Sequence, residues 1–350
     1  MFLKTYKLWA YLIASSFLIV SLIIGISLGS VQVPVSAIMG SILNEWFSAS
    51  FTVDPMYESI VLSIRLPRVL LAGLIGASLA IAGAAFQGLL KNPLADPYTL
   101  GVSSGASLGA VIVLYLGISI PGLYSFTLPV LSIIFAFITI LSVLLFARLA
   151  SKSMSVATII LTGIIFNSFI GSFISLLIAL SGDELRQIIG WLLGSVSMRG
   201  WEYILLLLPF FLIGSFILII NCNELNVLSF GEEKAKYLGV HVQHRKLWIL
   251  LAASMLTGAA VAVSGTIGFV GLVIPHFTRL LWGTNHKHLL PLSMLIGAGF
   301  LILADLVSRT LISPSELPIG VITSMIGAPV FAVLLLRGRS ERRGSHVKGS

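Results

Sequence analysis

Charge is scarce in this chain: Asp, Glu, Lys and Arg make up 10% of its 350 residues, against about 25% in a soluble globular protein. That shortage excludes a water-facing surface of ordinary extent. Cysteine is scarcer still. The one present, Cys222, rules out an internal disulfide, and no Cys/His cluster has zinc-binding spacing, so nothing supports metal chemistry or a cofactor on this chain. What fills the sequence is apolar, with 57% hydrophobic residues and a mean hydropathy of +1.06. Each membrane crossing takes about 20 apolar residues, and backbone polar groups in hydrocarbon must be satisfied internally. The sequence therefore predicts an all-α polytopic protein of the cell membrane, folded as a single transmembrane domain over 1–350.

Breaking the apolar runs at Pro, Gly and charge predicts ten spans, at 8–28, 62–90, 98–117, 126–148, 155–180, 201–221, 247–264, 267–283, 289–311 and 317–336. The first is too long for the apolar core of a signal peptide and reads as a retained helix entering from the cytosol. An even number of spans puts both termini on one side. With that side cytosolic, 16 of the 21 Lys and Arg are cytosolic, as the positive-inside bias requires. The basic excess thus reports orientation and not nucleic acid; the tail at 337–350 faces anionic lipid. Gly76-Ala77-x-x-Ala80-x-x-Gly83 in the second span recurs as Gly258-Ala259-x-x-Ala262-x-x-Gly265 in the seventh. Two antiparallel helices with one pattern suggest an inverted repeat of spans 2–5 and 7–10, although small residues also recur wherever membrane helices pack closely.

The longest charged interruption, 222–246, lies on the cytosolic side and carries Glu233-Lys234-Ala235-Lys236-Tyr237-Leu238-Gly239, a short helical pattern stopped by glycine. A membrane protein with one compact polar element and no soluble domain has there a handle for a partner that supplies energy. On the outer side stand Arg65, Arg68, Arg186, Arg199 and Arg309, against the charge trend. Arg65, Arg68 and Arg309 read either as cationic posts for carboxylates of an external partner or as side chains snorkelling to headgroups; Asp305, one turn before Arg309, could neutralise it. In span five Asn167, Ser168 and Ser172 lie on or beside one polar stripe that either lines an aqueous path or packs a helix. The segment 183–201 has apolar residues at helical spacing, which suits an interfacial or re-entrant element. Gly101-Val102-Ser103-Ser104-Gly105 matches the GxSxG pattern of serine hydrolases, but all six histidines map to cytosolic segments or span ends, leaving Ser103 no base. A helix-packing face is the better reading, and the chain is not expected to be an enzyme.

Taken together, Arg65-Leu-Pro-Arg68, Asn92-Pro-Leu-Ala-Asp-Pro97, Gly265-Thr-Ile-Gly-Phe-Val-Gly-Leu-Val-Ile-Pro-His276, Leu303-Ala-Asp305 and Glu316-Leu-Pro-Ile-Gly320 through Gly327-Ala-Pro329 resemble the permease subunits of bacterial ABC importers for iron-siderophores, haem and vitamin B12. The resemblance implies ten-helix subunits paired as a homodimer around the substrate path, two cytosolic ATP-binding subunits and an extracytoplasmic binding protein. It implies that Glu233, Ala235 and Gly239 belong to the motif that couples to the ATPase, and that Arg65, Arg68 and Arg309 meet glutamates of the binding protein. It further implies that Asn92, Leu94, Ser155 and Val156 line the cytosolic gate, Val156 replacing the small hydroxyl residue of that pattern. The cargo expected first is an iron(III)-siderophore complex, with vitamin B12 or haem as alternatives. The competing class is an ion-coupled secondary transporter, which would carry buried ionisable residues along its path; here Asp305 is the one acidic residue set inside a span away from its ends.

Overall fold

The computed structural model describes residues 2–29, 31–151 and 154–347, with side chains over 7–29, 31–151 and 154–333. Lys4, Lys152 and the basic side chains of the tail lie outside that set. Helices follow one another as α1 (Phe2–Ser27), α2 (Val35–Phe47), α3 (Pro55–Ser59), a π-helical turn (Ile60–Arg65), α4 (Leu66–Leu89), a 3-10 turn (Pro97–Leu100), α5 (Val102–Leu116), α6 (Thr127–Ala150), α7 (Val156–Leu180), α8 (Leu185–Leu192), α9 (Trp201–Ile220), α10 (Cys222–Ser229), α11 (Glu232–Tyr237), α12 (Val242–Ser264), α13 (Val270–Trp282), α14 (His286–Thr310) and α15 (Ile319–Val347). Among the described residues seven stretches are long and apolar enough to cross a bilayer, and Val102–Leu116, Val270–Trp282 and Ile319–Val333 are shorter apolar helices. These coincide with the ten apolar segments of the sequence. Missing from that reading are α2 and α3, too short and mixed to register as spans.

α4 is the hub, with 89% of its apolar stretch buried. It packs against α14, α13, α12 and α9. The α4–α14 contact is backbone on backbone: a Cβ on Gly297 would lie 2.6 Å from the Gly76 carbonyl oxygen, so no larger residue fits without separating the helices. The repeat shows in the partners. α4 packs against α13 and α14, the second and third apolar helices of the other half, while α12 packs against α5 and α6, the second and third of its own counterpart half. Such reciprocity goes beyond a shared small-residue pattern and is what inverted repeats produce.

Both halves contain broken backbone deep in the bundle. Before α13 the chain runs Gly265–Phe269 without helix, and Tyr98, in the 3-10 turn before α5, bridges it: its hydroxyl donates to the Ile267 carbonyl at 2.7 Å and accepts from the Ile267 N–H at 3.2 Å. Irregular backbone at this depth is tolerable only when enclosed by protein with its polar groups paired. α8 enters the bundle from the 183–201 segment, burying Ile188 and Trp191. The strand of loop after it ties α12 to α15, through Ser195 N–H to the Ser264 carbonyl at 2.7 Å and Ile319 N–H to the Gly194 carbonyl at 2.9 Å.

Candidate coupling, gate and outer sites

At the cytosolic handle, α10 and α11 meet at Gly231, whose φ of +123° lets the chain reverse in one residue. α11 then ends in a Schellman motif: Val240 N–H reaches the Ala235 carbonyl at 3.0 Å and Gly239 N–H the Lys236 carbonyl at 2.9 Å. Gly239 sits at φ +81° with nothing near its side-chain position, so conformation and not space requires glycine there. Ala235 is fully buried. Glu233 is exposed and pairs with Lys236 at 3.0 Å. The handle therefore presents a rigid tip of Phe230, Tyr237 and Leu238, large apolar side chains left 69% to 88% exposed. Apolar side chains so exposed on a polar element are the kind that a partner covers.

What anchors the handle was not assigned from sequence. Glu232 accepts from the buried Lys246 ammonium at 2.7 Å, Arg245 lies 3.3 Å from Glu224, and Asn226 accepts from the His286 N–H at 2.8 Å and donates to Asn285 at 3.0 Å. Both short helices are thus pinned to the N-terminal ends of α12 and α14. The signal was available: Arg245 and Lys246 open a helix that is otherwise apolar for five turns.

The expected gate residues occupy two elements. Asn92 accepts from the Leu94 N–H at 2.9 Å, an Asx turn that leaves Leu94 exposed, while Ser155 caps α7 by accepting from the Thr158 N–H at 3.2 Å, with Val156 following. Asp96, in the same turn as Asn92, caps the 3-10 turn by accepting from the Tyr98 N–H at 3.0 Å. Burial pushes its carboxyl up to about 6, against that hydrogen bond. The 3-10 turn packs on α7 at Gly163. Along α7, Asn167 accepts from Ser104 and Ser172 donates to the Ser168 carbonyl at 3.0 Å; all three stripe residues are exposed. Only 11% of the apolar stretch of α7 is buried within the chain. Ser103 is buried at the start of α5, and Gly105 two residues on is packed against α6, as a helix-packing face requires.

On the outer side Arg65, Arg68 and Arg309 are enclosed and most of their donors are taken up inside the chain, while the Nε of Arg309 has no hydrogen-bond partner among the described residues. Arg65 donates to the Ile26 and Ser27 carbonyls at 2.7 and 2.9 Å and to Val31, closing the frayed end of α1. Arg68 donates to Asp305 through Nε at 3.0 Å and through its terminal nitrogen at 2.8 Å, and to Glu316 at 2.7 Å. Arg309 donates to the Gly25 carbonyl and stands 3.7 Å from Asp305. The physical reason is the supply of acceptors: the C-terminal carbonyls of α1 lack intrahelical partners, and Asp305, fully buried, needs a cation. Glu316 is the half-exposed member; burial works to raise its carboxyl, and Arg68 more than reverses this, holding it below the ordinary value. The Asp305–Arg309 spacing had pointed to half of this clasp; the larger half, Arg68 with Asp305 and Glu316, joins residues some 240 positions apart.

A profile of the FecCD transport family matches residues 17–337. The uncharacterized ABC transporter permease protein YvrB of Bacillus subtilis (strain 168) is 65% identical over 336 residues, covering 96% of this chain and 95% of that one. The hemin transport system permease protein HmuU of Yersinia pestis is 40% identical over 333 residues, covering 94% and 96%. A solved chain described as an inward-facing conformation of a metal-chelate type ABC transporter superposes with a TM-score of 0.81 at 34% identity, covering 93% of this chain and 97% of that one. The multi-pass apolar bundle, the handle that offers a partner surface and these likenesses agree: the chain belongs to the FecCD transport family, the permease subunits of type II ABC importers, which are transport components and not enzymes.

Proposed function

We propose that this permease, paired with a second copy of itself, forms the translocation path for an iron(III)-siderophore complex. The observation that carries the reading is α7: a helix with most of its apolar surface uncovered, an exposed polar stripe at Asn167, Ser168 and Ser172, and no ionisable residue from Val156 to Leu180. A bare oxyanion or cation crossing the bilayer needs fixed counter-charge. A chelate whose metal is already wrapped does not, and an amide-and-hydroxyl stripe suits its polar rim. In this reading α7 meets its copy across the path, and Asn92 and Leu94 close the cytosolic end with Ser155 and Val156. Two ATP-binding subunits engage the tip built on Glu233, Ala235 and Gly239. An extracytoplasmic binding protein docks on the outer loops, with Arg65, Arg68 and Arg309 shaping that face from beneath.

The test is uptake of radio-iron as a ferric hydroxamate by proteoliposomes holding the permease, its ATPase and its binding protein. ATP-dependent uptake is expected. Uptake of cobalamin or haem with exclusion of the ferric hydroxamate overturns the cargo, and a heterodimer found on mass measurement of the purified complex overturns the pairing.

A further inference from the structure

We infer that Lys246 is the strut through which movement of α11 reaches the cytosolic end of α7. Its side chain is 1% exposed, which makes it one of the largest fully buried side chains among the described residues. It lies in the second turn of α12, and its ammonium has two partners on different elements: the Glu232 carboxylate on α11 at 2.7 Å, and the backbone carbonyl of Met154 at 2.8 Å. Met154 is the residue before Ser155, the cap of α7, and it is itself held in a turn by its N–H to the Ser151 carbonyl at 2.9 Å and a φ of +44°. One buried cation thus clamps α11 on one side and the residue that precedes the α7 cap on the other.

The energetics make the clamp hard to break. Leaving a buried ammonium without its carboxylate is strongly unfavourable, so α11 cannot slide away from Lys246 without taking it along or opening it to water. The Met154 carbonyl has the same alternatives. A carbonyl to which a charged donor points is bonded more tightly than one bonded to a neutral donor, and this one sits where a small displacement would re-aim the α7 N-terminus. Arg245, one position earlier, behaves differently: it lies against Glu224 at 3.3 Å and donates to Asn221 at 3.0 Å, both at the α9–α10 junction, and is partly exposed. It steadies the handle without reaching α7. Lys246 is accordingly a positioning residue, not a contact for substrate or nucleotide.

This inference rests on the importer reading of the preceding section, and the experiment separates the two. The full complex, with permease, ATPase and binding protein, is reconstituted as wild type, Lys246→Met and Arg245→Met, and both ATP hydrolysis and cargo uptake are measured. In a Cys222→Ser background, spin labels at Lys234, an exposed residue of α11 outside the apolar tip, and at Ala157, each paired with a reference label at Phe216 on α9, report nucleotide-dependent displacement of α11 and of α7. Lys246→Met is expected to keep ATPase association and hydrolysis while cargo moved per ATP falls about tenfold, with the Lys234 label still responding to nucleotide and the Ala157 label not. Arg245→Met is expected to keep the uptake-to-hydrolysis ratio. An unchanged ratio in Lys246→Met, or equal losses in both variants, overturns the strut. Loss of folding in Lys246→Met would show in its chromatographic profile; in that case Glu232→Gln, which keeps an acceptor for the ammonium but weakens the pull, must lower the ratio by itself, and a wild-type ratio there overturns the inference. Failure of the wild-type complex to move cargo with ATP would instead count against the importer reading.

Discussion

Arg68→Met tests the enclosed clasp directly. The substitution keeps the aliphatic stem and removes the guanidinium, and with it three contacts to Asp305 at 2.8 to 3.1 Å and two to Glu316 at 2.7 and 3.1 Å. Glu316 is half exposed and can turn to water. Asp305 is fully buried and cannot; its remaining cation, Arg309, is 3.7 Å away and is already bonded to the Gly25 carbonyl. Breaking a buried pair by removing one partner is worth about 3–5 kcal/mol. Replacing both partners by apolar groups is often near neutral, so Arg68→Met/Asp305→Leu should regain most of that loss, with a coupling energy of about 2–3 kcal/mol. Unfolding of the four proteins in mild detergent, titrated with a denaturing surfactant and followed by tryptophan emission, gives the cycle. Additive losses would refute the clasp. So would an Arg68→Met protein of wild-type stability that binds its partner protein more weakly, since that is how an outward-facing post behaves.

Three further outcomes are expected. Gly239→Arg should abolish co-purification of the ATPase while the permease still elutes as a folded species; φ +81° at this position costs a side-chain-bearing residue about 1–2 kcal/mol, too little to unfold the bundle. Asp96 carries a carboxyl whose folded pKa, about 6, lies above its unfolded value. The unfolded chain then holds fewer protons between about pH 4 and 6, so this contribution is complete below that window and declines as pH rises through it, by at most about 3 kcal/mol. Asp96→Asn, which keeps the cap oxygen, should flatten the dependence of the thermal midpoint on pH across that range. Asn167→Arg should stop uptake of a wrapped chelate without reducing ATPase association, and undiminished uptake would remove α7 from the path.

The apolar segments were legible because the bilayer imposes one length and one polarity on every crossing, leaving little for tertiary context to override. The handle was legible for the opposite reason, as charge where charge is otherwise absent. Two kinds of feature were not. α2 and α3 are short elements: Val35–Phe47 is apolar but, at 13 residues, falls short of the length by which a crossing is recognised, and Pro55–Ser59 is five residues. The partners of the outer arginines were not legible because a sequence shows the donors of Arg65, Arg68 and Arg309 but not the acceptors that the fold brings to them: the carbonyls of Gly25, Ile26 and Ser27 come from the end of α1, and Glu316 from the far end of the chain. Asp305 and Arg309 share one helix face and could be paired by spacing; Arg68 and Asp305 could not.

The same contacts divide the molecule into a part that should move and a part that should not. α14 is tied at one end to the handle through Asn226, at the other to α4 through Arg68 and Asp305, and between them it meets α4 backbone to backbone at Gly76 and Gly297. Sliding α14 along α4 would break a buried ion pair and a contact with no slack, so the two should travel as one body. α7 is held within the chain by Gly163 on the 3-10 turn, by the Phe146–Phe166 ring contact at 5.3 Å and by the Ser104–Asn167 bond, all short-range and none ionic. Hydrogen exchange on the assembled complex in lipid should therefore find nucleotide-dependent changes in amide protection at the cytosolic end of α7, with α4 and α14 protected throughout. Equal exchange changes in α14 and α7 would mean that the cycle works by separating the halves along α4, and the rigid pair proposed here would be wrong.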